Sequence, residues 1–142
     1  MKSKFLVLFL SVIVLNMSCQ VKTTVDATKT KIGMTKVTIL YPNAEGKTFD
    51  MDYYAEKHMP MVASLLGEAL KLYEIDEVMA GRTPDEPMPY LAMGYLYFDS
   101  MESYQNAFRP HAARITGDIP NYTNIQPVVQ ISEVLQQANM TE

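Results

Sequence analysis

The stretch YLAMGYLYF, residues 90–98, consists of aliphatic and aromatic residues around one glycine and carries no charge. Aromatic and aliphatic residues in an uninterrupted run of this length favour a β-strand. Successive side chains of a strand point to opposite faces, so a run that is apolar at every position predicts a strand buried on both faces. Such a strand needs one apolar layer on each side of its sheet.

The rest of the domain supplies three further strands and two helices. A helix is predicted to begin after the cap residue Asp50, to kink near Pro60 and to end near Gly67. A second helix follows a cap at Asp99 or Ser100. The remaining strands are predicted at residues 36–41, 71–80 and 127–134.

The order of these elements is β-α-β-β-α-β, which predicts an α+β domain with the ferredoxin-like fold. Two helices then cover one face of a four-stranded sheet and leave the other face bare. That face would be a large apolar patch, which monomers avoid. We therefore predict a twofold homodimer in which two sheets pack face to face, a dimeric α+β barrel.

The N-terminus has the pattern of an export signal. Lys2 and Lys4 precede an apolar run over residues 5–15, which is too short to span a bilayer. Ser18 and Cys19 then resemble a bacterial lipoprotein cleavage site, although an ordinary signal peptide is the alternative. We predict a protein lipidated at Cys19 and anchored on the periplasmic side of a bacterial membrane in the cell envelope. The predicted organisation is a signal peptide at 1–18, lipidated cysteine and flexible tether at 19–34, the domain at 35–135, and a polar tail at 136–142.

The amino-acid composition limits which molecules the protein is expected to bind. The net charge of −4 argues against nucleic acid, whose phosphates require a basic surface. The sequence shows no cofactor motif, since it has neither a Gly-rich phosphate loop nor a dinucleotide fingerprint, and the cofactor is left unknown. Eleven methionines and nine tyrosines suit an adaptable apolar pocket for a small hydrophobic ligand, with a methionine-rich core as the alternative.

Several blocks of the domain, in this order, resemble the EthD family. They are FDMDYY at 49–54, HMP at 58–60, GYLYFDS at 94–100, FRPH at 108–111, DIPNYT at 118–123 and PVVQISEV at 127–134. The resemblance covers about residues 34–135 and implies the dimeric α+β barrel fold. It also implies an oxidoreductase, because family members are often labelled reductases or oxidoreductases. That label rests on association and not on a site.

The candidate catalytic residue is His58, whose side chain exchanges a proton near neutral pH. Helical spacing places it about one turn from Tyr54 and from Met61. Its alternative role is to bond the backbone carbonyls that Pro60 leaves without a donor. Two histidines alone make a poor metal site, and we predict no metal. The predicted substrate-binding residues lie on the helices or before the last strand: Tyr54, Met61, Phe108, Asp118, Asn121 and Tyr122.

Three functions remain open at this point. The first is an enzyme acting on a small apolar or aromatic molecule held between helices and sheet, with His58 as acid or base. The second is an envelope lipoprotein that binds a hydrophobic ligand without chemistry. The third is a scaffold with no enclosed pocket near His58.

Overall fold

The structure, a computed structural model, describes residues 31–138. The predicted signal peptide, Cys19 and most of the predicted tether lie outside the described residues, as does the end of the predicted polar tail. No helix within the described range is long and apolar enough to cross a membrane.

Within residues 31–138, one antiparallel sheet of four strands forms the base of the domain. The strands are β1 (Thr35–Pro42), β2 (Leu70–Glu77), β3 (Tyr90–Phe98) and β4 (Val128–Glu133). Their spatial order is β2-β3-β1-β4. With a helical segment after β1 and another after β3, this is the predicted ferredoxin-like α+β fold. The second strand ends earlier than the predicted Ala80, because its pairing with β3 stops at Glu77 and Ala92.

The first helical layer comprises α1 (Met51–Tyr53), a π-helical turn (Tyr54–His58) and α2 (Met59–Leu66). Asp50 caps it as predicted, since its carboxylate accepts the backbone N–H of Tyr53 at 2.9 Å. The predicted irregularity precedes Pro60, where the Met59 N–H bonds the Tyr54 carbonyl across the wider π-helical turn. Gly67 ends the layer with φ of 55°, a conformation that favours glycine.

The second helical layer comprises α3 (Met101–Phe108) and α4 (Ala112–Gly117), joined by a 3₁₀ turn that contains Pro110. Of the two predicted caps, Ser100 is the one used, because its hydroxyl accepts the Ser103 N–H at 3.1 Å. A further 3₁₀ turn, Ile119–Asn121, leads towards β4. That turn places Asp118 and Tyr122 beside the first helical layer.

The two faces of β3 differ in burial. On the helix-covered face, Ala92, Gly94, Leu96 and Phe98 are buried. On the opposite face, which we call the open face of the sheet, Met93 and Tyr95 are half-buried within one chain. Residues 31–138 of one chain therefore do not supply the second apolar layer predicted for this face.

The open face also carries charge. Lys31 lies over the ring of Tyr97, 4.5 Å from its centroid, and pairs with Glu74 at 2.9 Å. The Tyr97 hydroxyl donates to the same Glu74 carboxylate at 2.8 Å. These contacts explain why Tyr97 is buried while its neighbours on the open face are not. The open face combines tyrosine rings with ion pairs and is not purely apolar.

Candidate functional site

A cavity of about 100 Å³ lies between the helices and the covered face of the sheet. Thr116 and Val129, both exposed, lie at its mouth. Its walls are mostly apolar and come from every layer of the domain, as shown by Val37, Leu96, Met59, Val62, Phe108 and Ile115. An apolar wall of this kind favours binding of an apolar or aromatic group.

His58 and Asp118 form a buried pair beside this cavity. Nδ1 of His58 lies 2.9 Å from a carboxylate oxygen of Asp118, and the two residues are only 4% and 6% exposed. His58 ends the π-helical turn, and Asp118 follows α4, so the pair joins the two helical layers. An imidazole whose Nδ1–H donates to a carboxylate has a fixed tautomer and leaves Nε2 as the basic atom.

Asp118 is itself held in place by two further donors. Its second carboxylate oxygen accepts Asn121 Nδ2 at 2.8 Å and the Tyr53 hydroxyl at 3.2 Å. The turn that follows is closed by the Asn121 N–H, which donates to the Asp118 carbonyl at 3.0 Å. The carboxylate is therefore oriented before any ligand binds.

The pair has well-defined protonation states at neutral pH. Burial lowers the pKa of His58 below 6.5, and the bond and charge of Asp118 oppose this only in part. Burial alone would raise the pKa of Asp118, but bonds from His58, Asn121 and Tyr53 outweigh it and hold the pKa below its usual value. We conclude that the imidazole is neutral and the carboxylate is ionised near pH 7.

Two tyrosines continue the network beyond His58. The Tyr122 hydroxyl lies 2.8 Å from the Tyr41 hydroxyl and 3.4 Å from Nε2 of His58. Desolvation by burial raises the pKa of both phenols, so both stay neutral. The polar end of the cavity thus contains neutral donors and acceptors, with a single negative charge behind the histidine.

Tyr54 differs from these two tyrosines. It is 1% exposed, it lines the cavity, and no hydrogen bond of normal geometry reaches its hydroxyl in the part of the chain that the structure describes. Burial, together with the neighbouring Tyr41, raises its pKa. The hydroxyl packs against Gly94 of β3, and any side chain at that position would overlap it.

The π-helical turn places Tyr54 and His58 on one face. Their rings are 5.6 Å apart and nearly parallel, at 18°. A single π-helical turn inside an α-helix is frequent at functional sites. Together these features let His58 take a proton from, or return it to, a group bound in the cavity, since Asp118 stabilises the imidazolium that forms.

The structure brings most of the predicted site residues together. His58, Tyr54, Phe108 and Tyr122 line the cavity. Asp118 and Asn121 lie behind His58 and orient it, so they do not line the cavity as predicted contacts of a substrate would.

Met61 is also absent from the cavity wall and packs half-buried against the core. Tyr41 and Tyr53 were not selected from the sequence. The alternation of KVTILY places Tyr41 on the face of Val37 and could have identified it.

The described residues offer no cluster of side chains suited to bind a metal ion. Within residues 31–138, no group of three or more histidine, cysteine, aspartate or glutamate side chains is placed to hold an ion. The site is therefore best described by the His58–Asp118 pair, the tyrosines and the cavity.

Comparison with known proteins agrees with the residue blocks quoted from the sequence. A family model described as "EthD domain" matches residues 44–126. The chain belongs to the EthD family. An EthD-like protein from Ralstonia eutropha JMP134 is 44% identical, with a TM-score of 0.71, and the match covers 75% of this chain and 96% of that one.

Two more distant structures share less with this EthD-family chain. An ethyl tert-butyl ether degradation (EthD) family protein from Bacillus halodurans C-125 is 20% identical, with a TM-score of 0.51 and coverage of 70% and 97%. A Bacteroides fragilis protein of unknown function, described as dimeric and ferredoxin-like, is 14% identical, with a TM-score of 0.41 and coverage of 73% and 99%. No curated protein matches the sequence.

Proposed function

We propose that this EthD-family protein is an enzyme of the oxidoreductase type that acts on a small apolar or aromatic molecule, with His58 as acid and base. The observation that carries the proposal is the buried His58–Asp118 pair, with the imidazole in the wall of an apolar cavity. The oxidoreductase class comes from the family resemblance. Proton transfer is the step that the residues of this chain themselves supply.

The proton moves between the bound molecule and Nε2 of His58. A neutral imidazole at pH 7 can accept a proton, and burial keeps it neutral until the substrate arrives. Asp118 then faces an imidazolium across a 2.9 Å contact, in surroundings where water screens little of the attraction. Tyr41 and Tyr122 remain neutral and contribute only hydrogen bonds.

Turnover of a panel of small phenols, quinols and aromatic ketones, assayed with and without dioxygen and nicotinamide reductant, tests this proposal. For any compound that turns over, His58→Gln should lower kcat/KM by about 10²–10⁴, the usual range for one general acid or base. Tyr73→Phe is the matched control, because Tyr73 is 37% exposed on β2 and does not line the cavity. Undiminished turnover by His58→Gln refutes the acid and base role.

A second candidate is an envelope protein that binds a hydrophobic ligand without converting it. The mostly apolar cavity wall favours this function as much as it favours an enzyme. Native mass spectrometry of protein purified from its source distinguishes the two. An unchanged ligand retained in stoichiometric amount supports the binding protein, whereas an altered product supports the enzyme.

We also propose that the protein is a homodimer joined through the open face of the sheet. Val128 is 52% exposed on that face, and Met93 and Tyr95 are only half-buried. A second copy would cover them. Sedimentation should show a dimer for the unchanged protein and a monomer for Val128→Glu; a monomer in both cases refutes the interface.

Membrane attachment is a separate proposal, and it rests on the sequence alone. We propose that Cys19 carries lipid and holds the domain at the cell envelope. Cys19→Ser should then move the protein from the membrane fraction to the soluble fraction. Equal distribution of the two forms contradicts the anchor.

A further inference from the structure

The hydroxyl of Tyr54 is the starting point. Within residues 31–138 it is the sole buried side-chain oxygen or nitrogen without a hydrogen bond of normal geometry, since the neighbouring Tyr41 hydroxyl pairs with Tyr122 at 2.8 Å. Leaving such a group unpaired costs about 1–3 kcal/mol, so native structures rarely keep one without a reason. Because Tyr54 belongs to the cavity wall, a bound molecule can supply the missing partner.

We propose that the ligand of this cavity is a phenol, an aromatic ring bearing an acidic hydroxyl, whose oxygen accepts a hydrogen bond from Tyr54 while its proton goes to Nε2 of His58. This assignment rests on the proposed function, since it names the substrate class of the same site. It also gives Tyr54, a residue predicted from the sequence to bind substrate, the specific role of hydrogen-bond donor to the reacting oxygen.

Complementarity favours this ligand over others. His58 offers an acceptor, since its Nδ1–H is used by Asp118. Tyr54 offers a donor, and a ligand hydroxyl can meet both groups with a single oxygen that donates to Nε2 and accepts from Tyr54. A carbonyl would pair with Tyr54 alone and leave Nε2 with only the long 3.4 Å contact to the Tyr122 hydroxyl. A carboxylate would bring a negative charge close to the ionised Asp118.

Tyr122 does not block this arrangement. Its hydroxyl lies at the long distance of 3.4 Å from Nε2, but only 2.8 Å from the Tyr41 hydroxyl. Its proton can therefore turn to Tyr41 and leave Nε2 to the ligand. A substituted ring would stack among the aromatic side chains that already surround the histidine, with ring centroids 4.6 Å and 5.6 Å from that of His58.

The proton transfer is balanced. The O–H bond of the phenol breaks and an N–H bond forms at Nε2. Neither group is oxidised or reduced. The phenolate oxygen accepts from Tyr54, and the imidazolium pairs with Asp118. A hydrogen bond to a charged oxygen is about twice as strong as one to a neutral oxygen, so Tyr54 stabilises the phenolate more than the phenol.

Cavity size limits how the ring enters. An apolar cavity of about 150 Å³ holds benzene, and the cavity in this protein is about 100 Å³. The hydroxyl-bearing edge would be enclosed, and the far edge would lie at the mouth beside Thr116 and Val129. Substituents opposite the hydroxyl are therefore compatible with binding.

The test uses 4-nitrophenol and its methyl ether, 4-nitroanisole, as probes that share one ring and differ in whether the oxygen carries an acidic proton or a methyl group. Calorimetry gives affinity, and absorbance reports the phenolate. We expect 4-nitrophenol to bind about 10-fold or more tightly than the ether and to bind largely as phenolate. Tyr54→Phe should weaken 4-nitrophenol about 10- to 100-fold and leave the ether unchanged. His58→Gln should remove the phenolate signal, and Tyr73→Phe should change nothing.

Each other outcome has a definite meaning. Equal affinity for the two probes overturns the phenol assignment but leaves an aromatic cavity, so the proposed function survives. A preference for 4-nitrophenol that Tyr54→Phe does not reduce overturns the role of Tyr54. Binding of neither probe overturns both the phenol assignment and the proposed aromatic ligand. Thermal unfolding of each variant confirms that it is folded before its affinity is compared.

Discussion

Gly94 of β3 lies against the Tyr54 hydroxyl, and replacing it by alanine tests this contact directly. A Cβ at position 94 would overlap the hydroxyl oxygen, whereas its next neighbours, the ring carbon of Tyr54 and Cδ1 of Ile39, lie at ordinary distances of 3.6 Å and 3.7 Å. The backbone at Gly94 does not have positive φ, so alanine is compatible with it. The hydroxyl oxygen of Tyr54 therefore accounts for the steric clash expected in Gly94→Ala.

The expected cost follows from two opposed effects. Overpacking a core by one methyl group usually costs about 1–3 kcal/mol. Alanine offsets about 0.5–1 kcal/mol of this, because it loses less backbone entropy than glycine on folding. Gly94→Ala should thus lower the free energy of unfolding by roughly 0–2.5 kcal/mol. Each kcal/mol lost corresponds to a fall of about 4–8 °C in Tm for a domain of this size.

Removing the oxygen should remove the cost. In a Tyr54→Phe background, Gly94→Ala should be neutral or slightly stabilising, which gives a coupling energy of about 1–3 kcal/mol between the two positions. Urea unfolding of the four proteins in the cycle measures it. A coupling energy near zero would mean that the Tyr54 hydroxyl does not lie against β3, and the phenol assignment would lose its donor.

Two further predictions concern the polar network. Burial lowers the pKa of folded His58 below its unfolded value of 6.5, so the stability from this group is present above pH 6.5 and is lost as the pH falls below it. The lowered pKa of Asp118 adds a second loss as the pH falls below 3.8. Urea midpoints between pH 8 and pH 5 should fall more for the unchanged protein than for His58→Gln; parallel curves would contradict the shift. Tyr122→Phe should destabilise by about 1–3 kcal/mol, because it leaves the buried Tyr41 hydroxyl without its 2.8 Å partner. Adding Tyr41→Phe should recover part of that loss in calorimetric Tm, and a further loss would show that Tyr41 has another role.

Most of the fold was predictable because its signals are local. The run YLAMGYLYF identified β3 within its observed bounds, and Asp50 identified the start of the first helical layer. The position of the helix irregularity was less predictable. Pro60 indicated a kink, but the extra residue of a π-helical turn is not visible in a periodic pattern.

The candidate site was predictable in its members but not in their arrangement. The family blocks selected His58, Asp118 and Tyr122 individually. Asp118, predicted to bind substrate, lies instead behind the histidine, where its carboxylate pairs with Nδ1 and does not line the cavity. Met61 was selected by helical spacing alone, which cannot tell the cavity side of a helix from its packed flank.

By itself the sequence determined the order of strands and helices, the helix caps and the membership of the EthD family, because each depends on residues close together in the chain. Tertiary structure alone decided that His58 meets Asp118, sixty residues away, and that Tyr41 meets Tyr122. It also decided that Tyr54 reaches Gly94, with no hydrogen bond of normal geometry to its hydroxyl from the described part of the chain. Contacts of this kind have no local signal, since they arise only when the helical layers pack on the sheet and exclude water from the groups between them.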